Sequence, residues 1–348
     1  MAKKTEQNLE AVLKKFVNKI INYIDDINNP NEKLFMAHDD FNHSVFFQRL
    51  SNAVSLISSN ATKFSITAKP PCNPKDVIEI TGMFSKSIEN LVNIVESVPL
   101  SQGANYNKEI REITKELLRS VATLVNGNMK KPVNLNSIKS FQGTLIDTGI
   151  TWYNCDAVAK LSKSNLEACS KKIKVTLDFI GDSMAEIKEA SENGGNSYDD
   201  FDADLDSDNE DDDEEETKRE LTENEKILLE NSLNMFKMSN FLLKKILTRT
   251  MKQYINNNTV EANQWLDSVA ENAGKSFSEA TDDLACAAMS YPLDAESIAE
   301  ECNHLFEKAS NLIDVCIKVS DEINVKWYNT CRDQFKKYIN AITALKEE

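Results

Sequence analysis

The chain has 348 residues, 41% of them apolar but only 7% aromatic, a composition that suits about two domains with cores filled by aliphatic side chains. Its formal net charge of −16 excludes the clustered Lys and Arg on which phosphate-backbone binding draws, so no direct nucleic-acid partner is expected. Seven cysteines, odd in number and without a C-x-x-C pair, support neither a disulfide framework nor a zinc site, and no stretch approaches the ~18 uninterrupted apolar residues of a membrane span.

The opening residues, MAKKTEQNLE, pass from two lysines directly into polar residues, so neither secretion nor membrane insertion is expected and a reducing compartment fits the cysteines. The first predicted helix runs from Thr5 to Asn28, with Leu9, Leu13, Phe16, Val17, Ile20 and Ile24 on one face and Pro30 beyond its end. A second starts near Asp39 or Asp40 and carries Phe46, Leu50, Val54, Ile57, Ala61 and Phe64 to Pro70-Pro71. Asn73-Pro74 caps and opens a third, whose stripe of Val77, Phe84, Ile88, Leu91 and Val95 ends at Pro99. A fourth spans Asn107 to Val125, with Asn126-Gly127 as an expected left-handed stop. The fifth runs from Ser137 to Leu161 and the sixth from Ser164 to Ser191; no Pro or Gly separates them.

Gly194-Gly195 then opens a run in which thirteen of the eighteen residues from Asp199 to Glu216 are acidic. Such a block of like charge resists collapse, so residues 192–220 are read as a disordered acidic loop. Without those thirteen carboxylates the formal charge of −16 becomes −3, so the flanking segments are nearly balanced. Its densest part, Asp208, Glu210, Asp211, Asp212, Asp213, Glu214, Glu215 and Glu216, is a candidate arm for a basic partner, with a solubilising linker as the plainer reading. Ser207 and Ser197 each have an acidic residue three positions on, the pattern acidophilic kinases favour, and are candidate phosphorylation sites.

Beyond the loop, Thr222-Glu223-Asn224-Glu225 reads as a capping box for a seventh helix reaching Ile255. An eighth runs from a Thr259 cap through Trp265, Val269, Phe277 and Leu284 to Tyr291-Pro292; a ninth starts at Asp294, and a tenth carries Trp327, Cys331, Phe335 and Ile342 to the C-terminus. No segment alternates strictly enough to be a strand. Ten amphipathic helices with short connections predict an all-α fold of two antiparallel up-and-down bundles, at residues 1–162 and 163–348.

Chemistry is sparse along these helices. Ala273-Gly274-Lys275-Ser276 has the end of a phosphate-binding loop, but Val269 stands where that motif needs its first glycine. Cys302 and His304 form a single metal-type pair, read as a buried thiol beside a surface imidazole. With three histidines and no nucleophile-base arrangement, no enzyme, cofactor or metal is expected. Trp152, Trp265 and Trp327 are read as core filling in preference to interface anchors, and Lys171, Lys172 and Lys174 as a solvated helix face.

Three segments, in order, carry a family resemblance: Phe41-Asn42 followed by Phe46-Phe47-Gln48-Arg49-Leu50-Ser51-Asn52-Ala53, then Leu243-Lys244-Lys245-Ile246, then Asp282-Asp283-Leu284-Ala285 leading to Tyr291-Pro292. They resemble the cyclin-D-binding protein family, the GCIP or Maid type, over about residues 40 to 345, with an acidic insert in the corresponding place. The resemblance implies a non-enzymatic, all-helical regulator of cytoplasm and nucleus that binds D-type cyclins and helix-loop-helix transcription factors and restrains cell-cycle progression. Helix bundles read without it allow a cytoskeletal or adhesion scaffold of talin or vinculin type as the alternative.

Overall fold

The computed structural model describes residues 2–129, 144–192 and 220–346. Among them lie eleven α-helices and no strand, so the fold is all-α. Contacts divide the chain into two compact units, Met1–Ala168 and Cys169–Glu348.

In the first unit α1 (Ala2–Asn28) packs against α3 (Pro74–Glu96) and α4 (Ala104–Asn126), while α2 (His43–Thr67) packs against α3 and α5 (Thr144–Ala159), and α4 also meets α5. The predicted stripes form the core: Phe16, Val17 and Ile20 of α1, Ile57 and Phe64 of α2, Phe84 and Ile88 of α3, and Leu117 and Val121 of α4 are all buried. Each Leu- or Ile-sized side chain so buried stabilises the fold by roughly 1.5 to 3 kcal/mol. The ring of Phe84 lies 5.6 Å from that of Phe16 and 6.3 Å from that of Phe64, joining three helices. The C-terminus of α1 has no basic residue in its own last turn, and α4 supplies the missing charge. Arg111 Nη1 donates to the Ile27 carbonyl at 3.4 Å, and Lys115 Nζ donates to Asn28 Oδ1 at 2.8 Å.

The second unit takes most of α6 (Asn165–Glu192) with α7 (Glu223–Lys245), α8 (Val260–Asn272), α9 (Lys275–Met289), α10 (Ala295–Ile317) and α11 (Glu322–Thr343). Helix α10 packs against α7, α8, α9 and α11, and α7 packs against α9 and α11. Phe236, Phe277, Leu305, Tyr328 and Phe335 fill this core, and the Tyr328 hydroxyl hydrogen-bonds Thr250 Oγ1 at 2.6 Å. Helix α6 runs beside the junction of α8 and α9, where Thr176 Oγ1 donates to the Ala273 carbonyl at 2.7 Å.

Several helix ends follow from their caps. Asn73 accepts from the Lys75 N–H with Pro74 at the first helical position, Thr222 and Glu225 form the reciprocal capping box, and Thr259, Asp294 and Asp321 each accept from first-turn N–H groups. Other ends differ from expectation. Asp39 and Asp40 lie in a separate 3-10 turn, His38–Asp40, and it is Asn42 that caps α2 by accepting from the Val45 N–H. Gly127 is right-handed, at φ −61°, because its N–H and those of Asn128 and Met129 continue the winding of α4 onto preceding carbonyls. The predicted start of the fifth helix, Ser137 to Gly143, lies outside the described residues, and α7 passes into a π-helical turn, Ile246–Thr250, and a 3-10 turn, Met251–Tyr254.

The expected eighth helix is two. Gly274, at ψ −131°, leaves the helical region, α8 ends on Asn272, and α9 restarts at Lys275. A side chain there would meet the Ala270 carbonyl at 2.8 Å, so the break depends on the missing Cβ.

Candidate functional site

The side chains that could meet another molecule stand on helix faces. In the first unit a groove of about 580 Å³ lies along α2 and α5. Phe47, Leu50 and Val54 of α2 and Cys155 and Val158 of α5 give it an apolar floor, and Ser51, Ser55, Ser58 and Ser59 form its α2 wall. Those serines recur at four-, three- and one-residue steps, so a single helix face carries side chains too small to close the space. Asp156 and Lys163 mark its charged edge. The Cys155 thiol is pushed up to about 12 by burial and then by Asp156, so it stays protonated and is no nucleophile. Elsewhere on α5, Trp152 is 44% exposed, its Nε1 donating to Thr62 Oγ1 at 3.2 Å, and Leu145, Ile146 and Tyr153 are exposed.

The same unit gathers two of the three histidines. Gln102 is fully buried; its Nε2 donates to the His38 carbonyl at 3.2 Å, and its Oε1 faces His43 Nε2 at 3.1 Å. His38 Nδ1 lies 3.0 Å from Ser101 Oγ and Tyr106 Oη lies 3.4 Å from His43 Nδ1. Burial lowers the His43 pKa, which favours the neutral ring. This network fixes the segment between α1 and α2; no spacing in the sequence announces it.

In the second unit Asp283 of α9 and Glu301 and His304 of α10 bring one ligand-type atom each within 4.8 Å of one another. At the start of α9, Lys275 pairs with Glu279 and Lys172 with Glu271, beside an apolar hollow of about 420 Å³ that exposes Val175 and Phe179. Helix α8, not a strand, precedes Gly274-Lys275-Ser276, and Val269 is core, so the turn lacks the architecture of a phosphate-binding loop.

Residues 49–193 match a family model described as "Grap2 and cyclin-D-interacting, N-terminal". A cyclin-D1-binding protein 1 homolog of Xenopus laevis is 25% identical over 71% of this chain and 72% of its own length. Its counterpart in Danio rerio is 25% identical over 82% of both chains. An uncharacterized protein of Schizosaccharomyces pombe is 24% identical over 78% of this chain and 79% of its own. The chain is similar to the GCIP family.

The motifs that carry the GCIP resemblance are half core and half surface. Phe41, Phe46, Leu50, Leu243, Ile246, Leu284 and Ala285 are buried and hold the packing, while Arg49, Lys244, Asp282 and Asp283 are exposed. Lys245 Nζ sits 4.5 Å from the ring centre of Trp327. None of the three tryptophans is core, contrary to expectation: besides Trp152, Trp265 is half-buried, stacked on Tyr254 with Nε1 donating to the Val315 carbonyl, and Trp327 is half-buried. The indole N–H groups of Trp152 and Trp265 are satisfied within the molecule while part of each side chain stays accessible. Lys171 and Lys174 are exposed and Lys172 is paired, as a solvated face requires. Cys302 points into the core and His304 outward, as read; the partners of His304 are Asp283 and Glu301, which the sequence did not place beside it. Ser197, Ser207 and the acidic residues from Asp208 to Glu216 lie outside the described residues.

Proposed function

We propose that this chain is a GCIP-family, non-enzymatic binding protein for a D-type cyclin, and that the groove along α2 and α5 takes the partner. The observation that carries the reading is the match to relatives named for binding cyclin D1, over 71% to 82% of this chain. The groove supports the placement: its residues from Leu50 to Lys163 fall inside the matched segment 49–193. An amphipathic helix set into it would lay apolar side chains on Phe47, Leu50 and Val158 and bring its backbone close over the serines. Trp152 and Tyr153, exposed on α5, are residue types enriched where interface energy concentrates.

The finer reading is sequestration. Holding the partner's helix keeps it from its productive complex and so restrains cell-cycle progression, and helix-loop-helix factors are a second class of helical ligand, in cytoplasm and nucleus alike. The acidic run, Asp208 to Glu216, steers basic partners at long range, and phosphate on Ser207 or Ser197 adds about 1.5 to 2 negative charges to it.

The test is direct binding of purified full-length chain, and of a form lacking residues 198–216, to a purified D-type cyclin. Saturable binding by both forms, with the deletion weakening association mainly at low salt, is expected. Absence of saturable binding at micromolar concentrations would contradict the reading.

A further inference from the structure

We propose that Asp283, Glu301 and His304 form a binding site for a divalent transition-metal ion of the zinc type, clamping α9 to α10. Glu301 and His304 stand three residues apart on α10, so both side chains project from one face, and Asp283 reaches the same point from α9. His304 Nδ1 lies 3.8 Å from Asp283 Oδ2 and 3.7 Å from Glu301 Oε2. These gaps are too long for hydrogen bonds. They are close to the separation of roughly 3.4 Å that two donors adopt when each sits about 2.0–2.1 Å from a tetrahedral ion. The third pair, Asp283 with Glu301, lies within 4.8 Å, so side-chain movement on the order of an ångström would bring three donors onto one centre, with water in the remaining position.

The charge around the site points the same way. Among the described residues no lysine or arginine pairs with Asp283 or Glu301, and the imidazole of His304 is the one basic side chain beside them. Asp282 and Glu186 add to the negative potential, and with Asp283 they raise the pKa of Cys286 beyond what burial alone does. A mixed imidazole and carboxylate set suits zinc, iron or cobalt better than magnesium or calcium, which take oxygen alone. Cys302, next in sequence to Glu301, takes no part: it is buried, and its thiol is pushed up to about 12 by burial and then by Glu301.

The test is calorimetric titration of ZnCl₂ into reduced full-length protein in excess Mg²⁺, which occupies the acidic run with a hard cation. Unmodified chain is compared with His304→Ala, Asp283→Asn and Cys286→Ser, each checked for native helicity by circular dichroism. One Zn²⁺ per chain is expected, weakened at least tenfold by His304→Ala and by Asp283→Asn and unchanged by Cys286→Ser. Co²⁺ in place of Zn²⁺ should give a visible absorption band that His304→Ala removes, and Zn²⁺ should raise the thermal midpoint of the unmodified chain and of Cys286→Ser but not of His304→Ala or Asp283→Asn. Equal Zn²⁺ affinity in the unmodified chain and His304→Ala would overturn the proposal, as would a Co²⁺ band lost only in Cys286→Ser. No Zn²⁺ binding above the Mg²⁺ background would also overturn it, leaving His304 as a plain ion-pair partner of the two carboxylates.

Discussion

Asp147, on the inner side of α5, is 1% exposed, and neither of its carboxylate oxygens has a hydrogen-bond partner. Desolvation raises its pKa, so the folded state holds the proton more tightly than the unfolded chain. Below the unfolded carboxyl value of about 4 both states are protonated and the carboxyl costs little; as pH rises through the folded value, stability is lost. Asp147→Asn should therefore be more stable than the natural chain at pH 7, by on the order of 1 kcal/mol in urea unfolding, with the gap closing toward pH 4. Parallel pH profiles for the two proteins would refute this. Gly103 makes the opposite kind of demand. Its φ of +115° is strained for any L side chain, and a Cβ would fall 2.0 Å from Asn165 Cγ, whose Oδ1 accepts from the Tyr106 N–H at 3.1 Å. Gly103→Ala should cost about 2 kcal/mol or more and lower the thermal midpoint; an unchanged midpoint would show that the backbone relaxes there.

Where a helix begins was legible at most of the ends where one side chain satisfies the free N–H groups, Asn42 of α2 being an exception. Asn73-Pro74, Thr222 with Glu225, Thr259 and Asp294 all cap where the residues said they would. Thr222→Ala should lower stability by about 1 kcal/mol, because the Thr222 hydroxyl and the Glu225 carboxylate depend on one another; a smaller loss than about 0.3 kcal/mol would mean water replaces the cap at no cost. Breaks inside a periodic pattern were harder to read. The apolar positions on either side of Gly274 stay in helical phase, and only the approach of the Ala270 carbonyl, a tertiary fact, shows that the chain must turn there. The groove was invisible for a related reason: a run of serines on α2 reads as an ordinary polar face until α5 is placed beside it. The meeting of Asp283 with Glu301 and His304 likewise depends on which turn of α9 lies against which turn of α10.

For the whole molecule, the length, the lack of strand patterning and the spacing of apolar residues were enough to read an all-α fold, because each stripe needs only another stripe to bury it. Function was legible at a different level. The exposed residues of the matching motifs, Arg49, Lys244, Asp282 and Asp283, carry no reaction chemistry that their type alone would reveal, so the GCIP resemblance came from the order of the segments. The central claim is that a D-type cyclin docks in the groove of the first unit. It is tested most directly by measuring, by isothermal titration, the affinity of a purified D-type cyclin for the natural chain and for Ser55→Trp, which fills the groove from an exposed position on α2. The account predicts saturable binding that Ser55→Trp weakens at least tenfold while the thermal midpoint and helicity stay unchanged. Equal affinity for the two proteins would contradict it.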